Sequence, residues 1–135
     1  VYVADSGILH SLLKIGNRDD LLAHPKCGAS WEGFMVQELL RRTGAGRGEA
    51  FFWGLHAGAE LDLLIVKNGR RIGFEIKLTR SPKVTASMRS AQRTLELDRL
   101  FVICHAEGLP WAMAEGIEAV PATLLASPEW QPLEP

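Results

Sequence analysis

The chain has 135 residues and a mass of 14.9 kDa, and 47% of it is hydrophobic, enough for one globular domain with a real core and too little for a second. Its formal net charge of -1 and pI near 6.5 exclude a global electrostatic pull toward nucleic acid. No apolar run approaches the roughly 18 residues of a membrane span and no leader-like pattern occurs, so a cytoplasmic protein with no membrane partner is expected.

The opening Val1-Tyr2-Val3-Ala4-Asp5 passes straight into patterned sequence, from which upstream polypeptide is expected. Apolar residues at helical spacing predict a first helix over 6–15 with Asp5 or Ser6 as N-cap, then a short turn over 18–23 capped by Asn17 and ended by Pro25. Residues 1–27 read as a helical lead-in. Cys27 and Cys104 lack Cys-x-x-Cys or Cys/His spacing and read as free buried thiols, not zinc ligands or a disulfide.

The best helix runs from Ser30, its expected cap, to Thr43, and Gly44 stops it. Stepping about 100° per residue places Trp31, Met35, Val36, Leu39 and Leu40 on one apolar arc, with Glu32 near its centre. A carboxylate inside a buried face is costly unless it is paired or binds a cation. Glu32 therefore contradicts the pattern of its own helix.

Residues 50–55 and 60–67 read as strands, and Asn68-Gly69 is a strong two-residue hairpin signal leading into a return strand over 70–78. Regular alternation puts Glu60 and Asp62 on one face of the first hairpin strand. It puts Gly73, Glu75 and Lys77 on one face of the second, with Gly73 leaving open space beside the acids. Ile72, Phe74, Ile76 and Leu78 take the other face. Residues 85–97 predict a helix with Met88, Ala91 and Leu95 inward and Gln92 toward the acids. The run Leu100–Cys104 reads as a strand buried on both faces, reached by a crossover and therefore parallel. A brief edge strand is expected around Ile117–Val120, a short helix over 121–126, and a Pro-rich tail over 127–135. The domain proper is thus expected over 28–126, an α/β fold with a central hairpin in a mixed sheet flanked by helices.

Between Lys67 and Arg99 nine basic residues face three acidic ones, a local excess of +6 in a chain that is otherwise acidic. This segment reads either as solvated helix and loop faces or as a phosphate-binding surface. Phosphodiester hydrolysis needs a cation to neutralise charge on the phosphoryl oxygens and to help deprotonate a water. Mg²⁺ or Mn²⁺ takes oxygen ligands and keeps several waters, so two or three carboxylates and a backbone carbonyl suffice. Glu32, Asp62, Glu75 and Lys77 form the expected catalytic set. Asp62, Glu75, the Ile76 carbonyl and Glu32 are the expected metal ligands, and Lys77 holds phosphate or water. Glu60, His56 and Gln92 are candidate auxiliary or phosphate contacts. The plainer alternatives are an ordinary Glu75–Lys77 ion pair on a strand face and a solvated Glu60. Trp31, Phe52 and Trp53 read as core residues.

The segments Trp31-Glu32-Gly33-Phe34, Gly58-Ala59-Glu60-Leu61-Asp62 and Gly73-Phe74-Glu75-Ile76-Lys77 resemble the restriction-endonuclease-like PD-(D/E)xK superfamily, and Tyr2, Asp5, Gly7, Gly28, Glu32, Gly58, Glu60, Asp62, Glu75 and Lys77 follow in order the string of a closer family. This closer resemblance is to a domain of unknown function found C-terminal to predicted prokaryotic AAA+-type ATPases. Leu61 stands where the superfamily motif has proline. The resemblance implies a restriction-endonuclease-like mixed sheet, an upstream ATPase module in the same polypeptide, and a Mg-dependent DNA endonuclease activity. The alternative is a non-catalytic module of the ATPase that binds nucleic acid or protein, and an oligomer is compatible with either. The chain contains no Gly-x-x-x-x-Gly-Lys-Ser/Thr string, so no P-loop is expected within it.

Overall fold

The computed structural model describes residues 27–56 and 58–134, together with Asn17 and Asp19. The expected helix over 6–15 and all of the expected turn over 18–23 except Asp19 lie outside the described residues. Helix α1 spans Cys27–Thr43. It begins three residues earlier than expected, so Ser30 is a buried residue of its interior and not its cap. Gly33, Met35, Val36, Leu39 and Thr43 form its buried side, and Gly44 ends it in the left-handed region at φ +58.

Strands β1 (Ala50–Gly54), β2 (Glu60–Lys67) and β3 (Arg70–Lys77) form an antiparallel meander. The hairpin turn is as expected: Asn68 and Gly69 both adopt positive φ, 53 and 74, matching the twist of the two strands. Helix α2 (Ala86–Thr94) then crosses over to β4 (Arg99–Cys104), which lies parallel to β3. Thr85 caps α2, its hydroxyl accepting from the Met88 N–H at 3.2 Å while the Met88 sulfur accepts from the Thr85 N–H at 3.4 Å.

Strands β5 (Trp111–Ala114) and β6 (Ile117–Pro121) complete a six-stranded mixed sheet of order β1-β2-β3-β4-β6-β5. The strand expected at an edge, β6, is internal, parallel to β4 and antiparallel to β5, and β5 forms the edge. A 3-10 helix, Ala122–Ala126, follows Pro121 as expected.

The sheet separates two apolar layers. On one side Met35, Val36 and Leu39 of α1 pack on Ile65, Ile72, Phe74 and Phe101. On the other, Met88 and Ala91 of α2 pack on Leu61, Leu64, Leu100 and Val102. The tail after residue 126 has no regular element but is held down: Trp130 meets Phe101 edge-on at 5.6 Å, and Arg42 donates to the Ser127 and Trp130 carbonyls. Among the described residues no helix is long and apolar enough to cross a membrane.

Candidate functional site

Local sequence interrupts the regular β2 ladder at Asp62. The β1–β2 register runs from Phe51 opposite Leu64 to Trp53 opposite Leu61, so Asp62 and Leu63 together oppose the single residue Phe52. This bulge inverts the pleat. Leu61 therefore faces the α2 layer although Leu63 and Ile65, of the same parity, face α1.

The β2–β3 pairing ends at Leu63 opposite Phe74, and beyond it the Asp62 side chain takes over the ladder's role, its Oδ2 accepting from the Ile76 N–H at 2.6 Å. Asp62 is thus fixed against β3 by a backbone bond that a regular strand would not give it. The ladder through Asp62 is therefore not regular, but Glu60 and Asp62 still line one cleft.

Glu75 is the buried charge of the sheet, 3% exposed, beside Val102 of β4. Its Oε1 accepts from Lys77 Nζ at 2.6 Å, and its Oε2, also buried, has no hydrogen-bond partner. Burial first, and the Asp62 charge second, push the Glu75 carboxyl above the ordinary carboxylate value, with Lys77 opposing them. Asp62 is likewise pushed up by burial, against the Ile76 N–H and Lys77. For Lys77 burial works downward, but the Glu75 hydrogen bond and the charges of Glu75, Asp62 and Glu60 outweigh it, and the ammonium is held charged more firmly than usual.

Glu32 falls by helical angle between Leu39 and Thr43 on the buried side of α1, as expected, but it is only half-buried. Its carboxyl is raised by burial, then by the Asp62 and Glu60 charges, with Lys77 pulling the other way. Those couplings bring Glu32 into the same group as Asp62 and Lys77. A cleft of about 340 Å³ opens beside it, lined by Glu32, Glu60, Asp62, Phe52, Trp53 and Leu61, with Gly54 at its edge.

Phe52 is 60% exposed on this wall and is not the core residue its apolarity suggested, whereas Trp31 and Trp53 pack against the two layers as expected.

Glu60 is exposed and belongs to the outer shell of charge, its field raising every member of the group. His56 is exposed in the β1–β2 loop and makes no hydrogen bond or ion pair among the described residues. Gln92 is turned away: its Nε2 donates to the Glu115 carbonyl at 3.0 Å, in the β5–β6 turn at the end of the sheet opposite Lys77. Gly73 does not open space beside the acids. A Cβ there would meet Leu97 Cδ1 at 2.6 Å and Leu100 Cδ1 at 2.9 Å, because leucines of the α2 layer fill the gap. Cys104 is a buried free thiol as expected, while Cys27 is free but only half-buried.

Two residues that sequence reasoning did not single out hold the site together. Ser87 Oγ accepts from the Glu60 N–H at 2.9 Å and donates to the Glu60 carbonyl at 2.8 Å, clamping the start of β2 to α2. His105 follows directly on the end of β4, donates its backbone N–H to the Thr79 carbonyl at 2.9 Å, and sets its ring edge-on to Trp31 at 5.9 Å. Neither carried a signal, since one serine on a helix and one histidine after a strand fit many roles.

The donor set fits a hard divalent cation of the Mg²⁺ kind. A buried carboxylate oxygen without a partner is costly for a fold alone and is what an oxygen-seeking ion would use. Among the described residues no three His, Cys, Asp or Glu side chains are gathered closely enough to hold a metal by themselves. A divalent ion here would have two carboxylate ligands and would need backbone and water to complete its shell.

Fold and site together define an α/β sheet domain with an acid–lysine group at the meeting of its central strands. The chain belongs to the family described as a domain of unknown function (DUF4143), whose model matches residues 27–125. It is 40% identical over 122 residues to an uncharacterized protein of Mycobacterium bovis and, to the same extent, to one of Mycobacterium tuberculosis. Those matches cover 90% of this chain but 27% of each relative, so the chain spans about a quarter of their length. No solved structure matches.

Proposed function

We propose that this chain is a nuclease-like domain of the PD-(D/E)xK, restriction-endonuclease-like kind, acting on DNA with Mg²⁺ or Mn²⁺ as the C-terminal module of a cytoplasmic ATPase. The observation that carries the reading is the buried Glu75 Oε2, without a partner, next to a charged lysine and a second carboxylate. The short share of each relative that the chain spans fits a module of a longer polypeptide.

Asp62 and Glu75 would hold the ion, with the Ile76 carbonyl and a water on Glu32 filling further positions. When bound, the ion supplies charge neutralisation at phosphorus and a more acidic water. The chain's own residues do the rest. The Ile76 N–H keeps the Asp62 carboxylate in one orientation. Lys77, held cationic by Glu75, positions a phosphoryl oxygen or the attacking water. Glu32, at the cleft and with its proton affinity raised, accepts a proton at its carboxylate from a water on that side.

Purified protein is expected to cut plasmid or oligonucleotide in Mg²⁺ or Mn²⁺, and Lys77→Ala to abolish the cutting. Equal cleavage by wild type and variant contradicts the reading.

A second reading, a non-catalytic module that binds nucleic acid or protein for the ATPase, draws on the closed Glu75–Lys77 pair and the absence of a three-ligand group among the described residues. It expects no metal-stimulated cutting but altered binding or ATPase behaviour when residues 28–125 are deleted. An unchanged full-length protein would refute it.

A further inference from the structure

The nine basic residues between Lys67 and Arg99 divide into two groups once their partners are known. Five are tied to the protein's own acceptors. Lys67 binds the Thr43 and Gly44 carbonyls and Glu49, and Arg70 the Leu133 carbonyl. Arg71 binds Glu96 and the Leu95 carbonyl, Lys77 binds Glu75, and Arg99 binds Glu118. The other four, Arg80, Lys83, Arg89 and Arg93, are exposed, and their side chains make no ion pair or hydrogen bond among the described residues.

These four are not scattered. Arg80 is three residues beyond Lys77, within about 11 Å of its backbone even if the chain is fully extended. Lys83 follows in the same connection, and Arg89 and Arg93 are four residues apart on α2. Because Met88 and Ala91 face the sheet, a step of about 100° per residue turns Arg89 and Arg93 to the outer side of the helix, roughly 6 Å apart along its axis. The start of α2 is fixed to the site by the double Ser87–Glu60 clamp. A row of uncommitted cations thus leaves the acid–lysine group on the α2 side, while Glu32 and Glu60 line the cleft.

We propose that Arg80, Lys83, Arg89 and Arg93 form a track for the sugar-phosphate backbone of a nucleic acid strand, leading its phosphates to the acid–lysine site from the α2 side. The inference rests on the phosphodiesterase reading for what happens at the end of the track, but the track binds without cleavage. Charge selects the occupant: four cations that the fold does not neutralise match a polyanion with closely repeated charges, and contacts made to its phosphates carry no sequence information. The contacts lie on one side of the scissile position only, so binding depends on strand length on that side.

The test is fluorescence anisotropy of a labelled oligonucleotide over a salt series, in Ca²⁺ without Mg²⁺, with wild type, the quadruple alanine variant (Arg80→Ala, Lys83→Ala, Arg89→Ala, Arg93→Ala), and a variant with Arg80, Arg89 and Arg93 each changed to Lys. Wild type is expected to weaken steeply with salt. The alanine variant is expected to lose about 0.7 of log–log slope per contact removed on single strands, close to 3 in all, and to bind at least about tenfold more weakly at moderate salt. The lysine variant keeps the slope.

Unchanged affinity and slope in the alanine variant overturn the track, as does a wild type that ignores oligonucleotide but binds vesicles of anionic lipid or an acidic protein. The two readings fail separately. Track-dependent binding with no cutting in Mg²⁺ removes the nuclease and keeps the track, whereas Lys77-dependent cutting by a quadruple variant of normal affinity does the reverse.

Discussion

The two ends of the β3–β4 strand pair are built from the same residue types and treat charge in opposite ways. At the start of the pair, the Arg71 N–H donates to Asp98 Oδ2 at 2.7 Å, and the Asp98 N–H donates to the Arg71 carbonyl at 2.9 Å. Arg71 also meets Glu96, and Arg99 meets Glu118 while lying 4.8 Å from the Phe101 ring centroid. Every charge there is at the water's edge with a partner. At the far end Glu75 is buried with one oxygen unmatched, Asp62 has left the ladder, and three carboxyls are pushed above their ordinary range. Matched surface charge closes a fold at little cost, whereas buried unmatched charge is retained only against the fold's own interest. This difference is what supports placing the proposed function at the Lys77 end.

The largest expected effect separates the ends directly. Glu75→Gln should lower metal-dependent cleavage by roughly 10³-fold, the equivalent of several kcal/mol on the barrier, while Asp98→Asn at the other end leaves initial rates unchanged. Similar losses from both would break the comparison.

Gly73, midway along β3, should tolerate no side chain: Gly73→Ala forces a Cβ against Leu97 and Leu100 and should cost about 1–3 kcal/mol in denaturant unfolding.

Smaller, and opposite in sign, is the stability of Glu75→Gln without metal. The folded Glu75 pKa is raised above the unfolded value near 4.5, so the folded state binds this proton more tightly. The wild type therefore carries the full burial penalty above the raised folded value and sheds it as pH falls through that value toward 4.5. Glutamine carries no such penalty, so the variant should be more stable by about 1 kcal/mol at neutral pH, and the gap should close on acidification. A gap that widens on acidification would mean that Lys77 overcompensates burial.

The smallest effect belongs to the matched end: Arg71→Ala should change stability by less than about 1 kcal/mol, and less still in high salt.

The parts of this architecture that follow from periodicity were legible in the sequence. Asn68-Gly69 specified its turn through residues that accept positive φ, and Leu100–Cys104 announced a strand covered on both faces by lacking any polar alternate. Glu32, Asp62, Glu75 and Lys77 stand out in the sequence as candidates, and the structure draws them into one electrostatic group.

What was not legible depended on a broken period. Alternation assumes a regular ladder, and the bulge at Asp62 violates it; the run Leu63-Leu64-Ile65 alternates regularly between the two layers and gives no trace of it. Gly73 looked like space because a missing side chain does not say which leucine fills it. For Gln92 the helical angle gives a direction across the sheet but not a position along it. Strand β5 has four residues, and the two at its start, Trp111 and Ala112, are exposed, leaving too little pattern to distinguish an edge from a loop.

The central claim is that the unmatched Glu75 oxygen is a metal ligand, and the most direct measurement is calorimetric titration of the purified protein with Mn²⁺. Wild type should bind, Glu75→Gln should lose at least about tenfold in affinity, and Asp98→Asn should match wild type. Equal Mn²⁺ affinity in wild type and Glu75→Gln would contradict the claim.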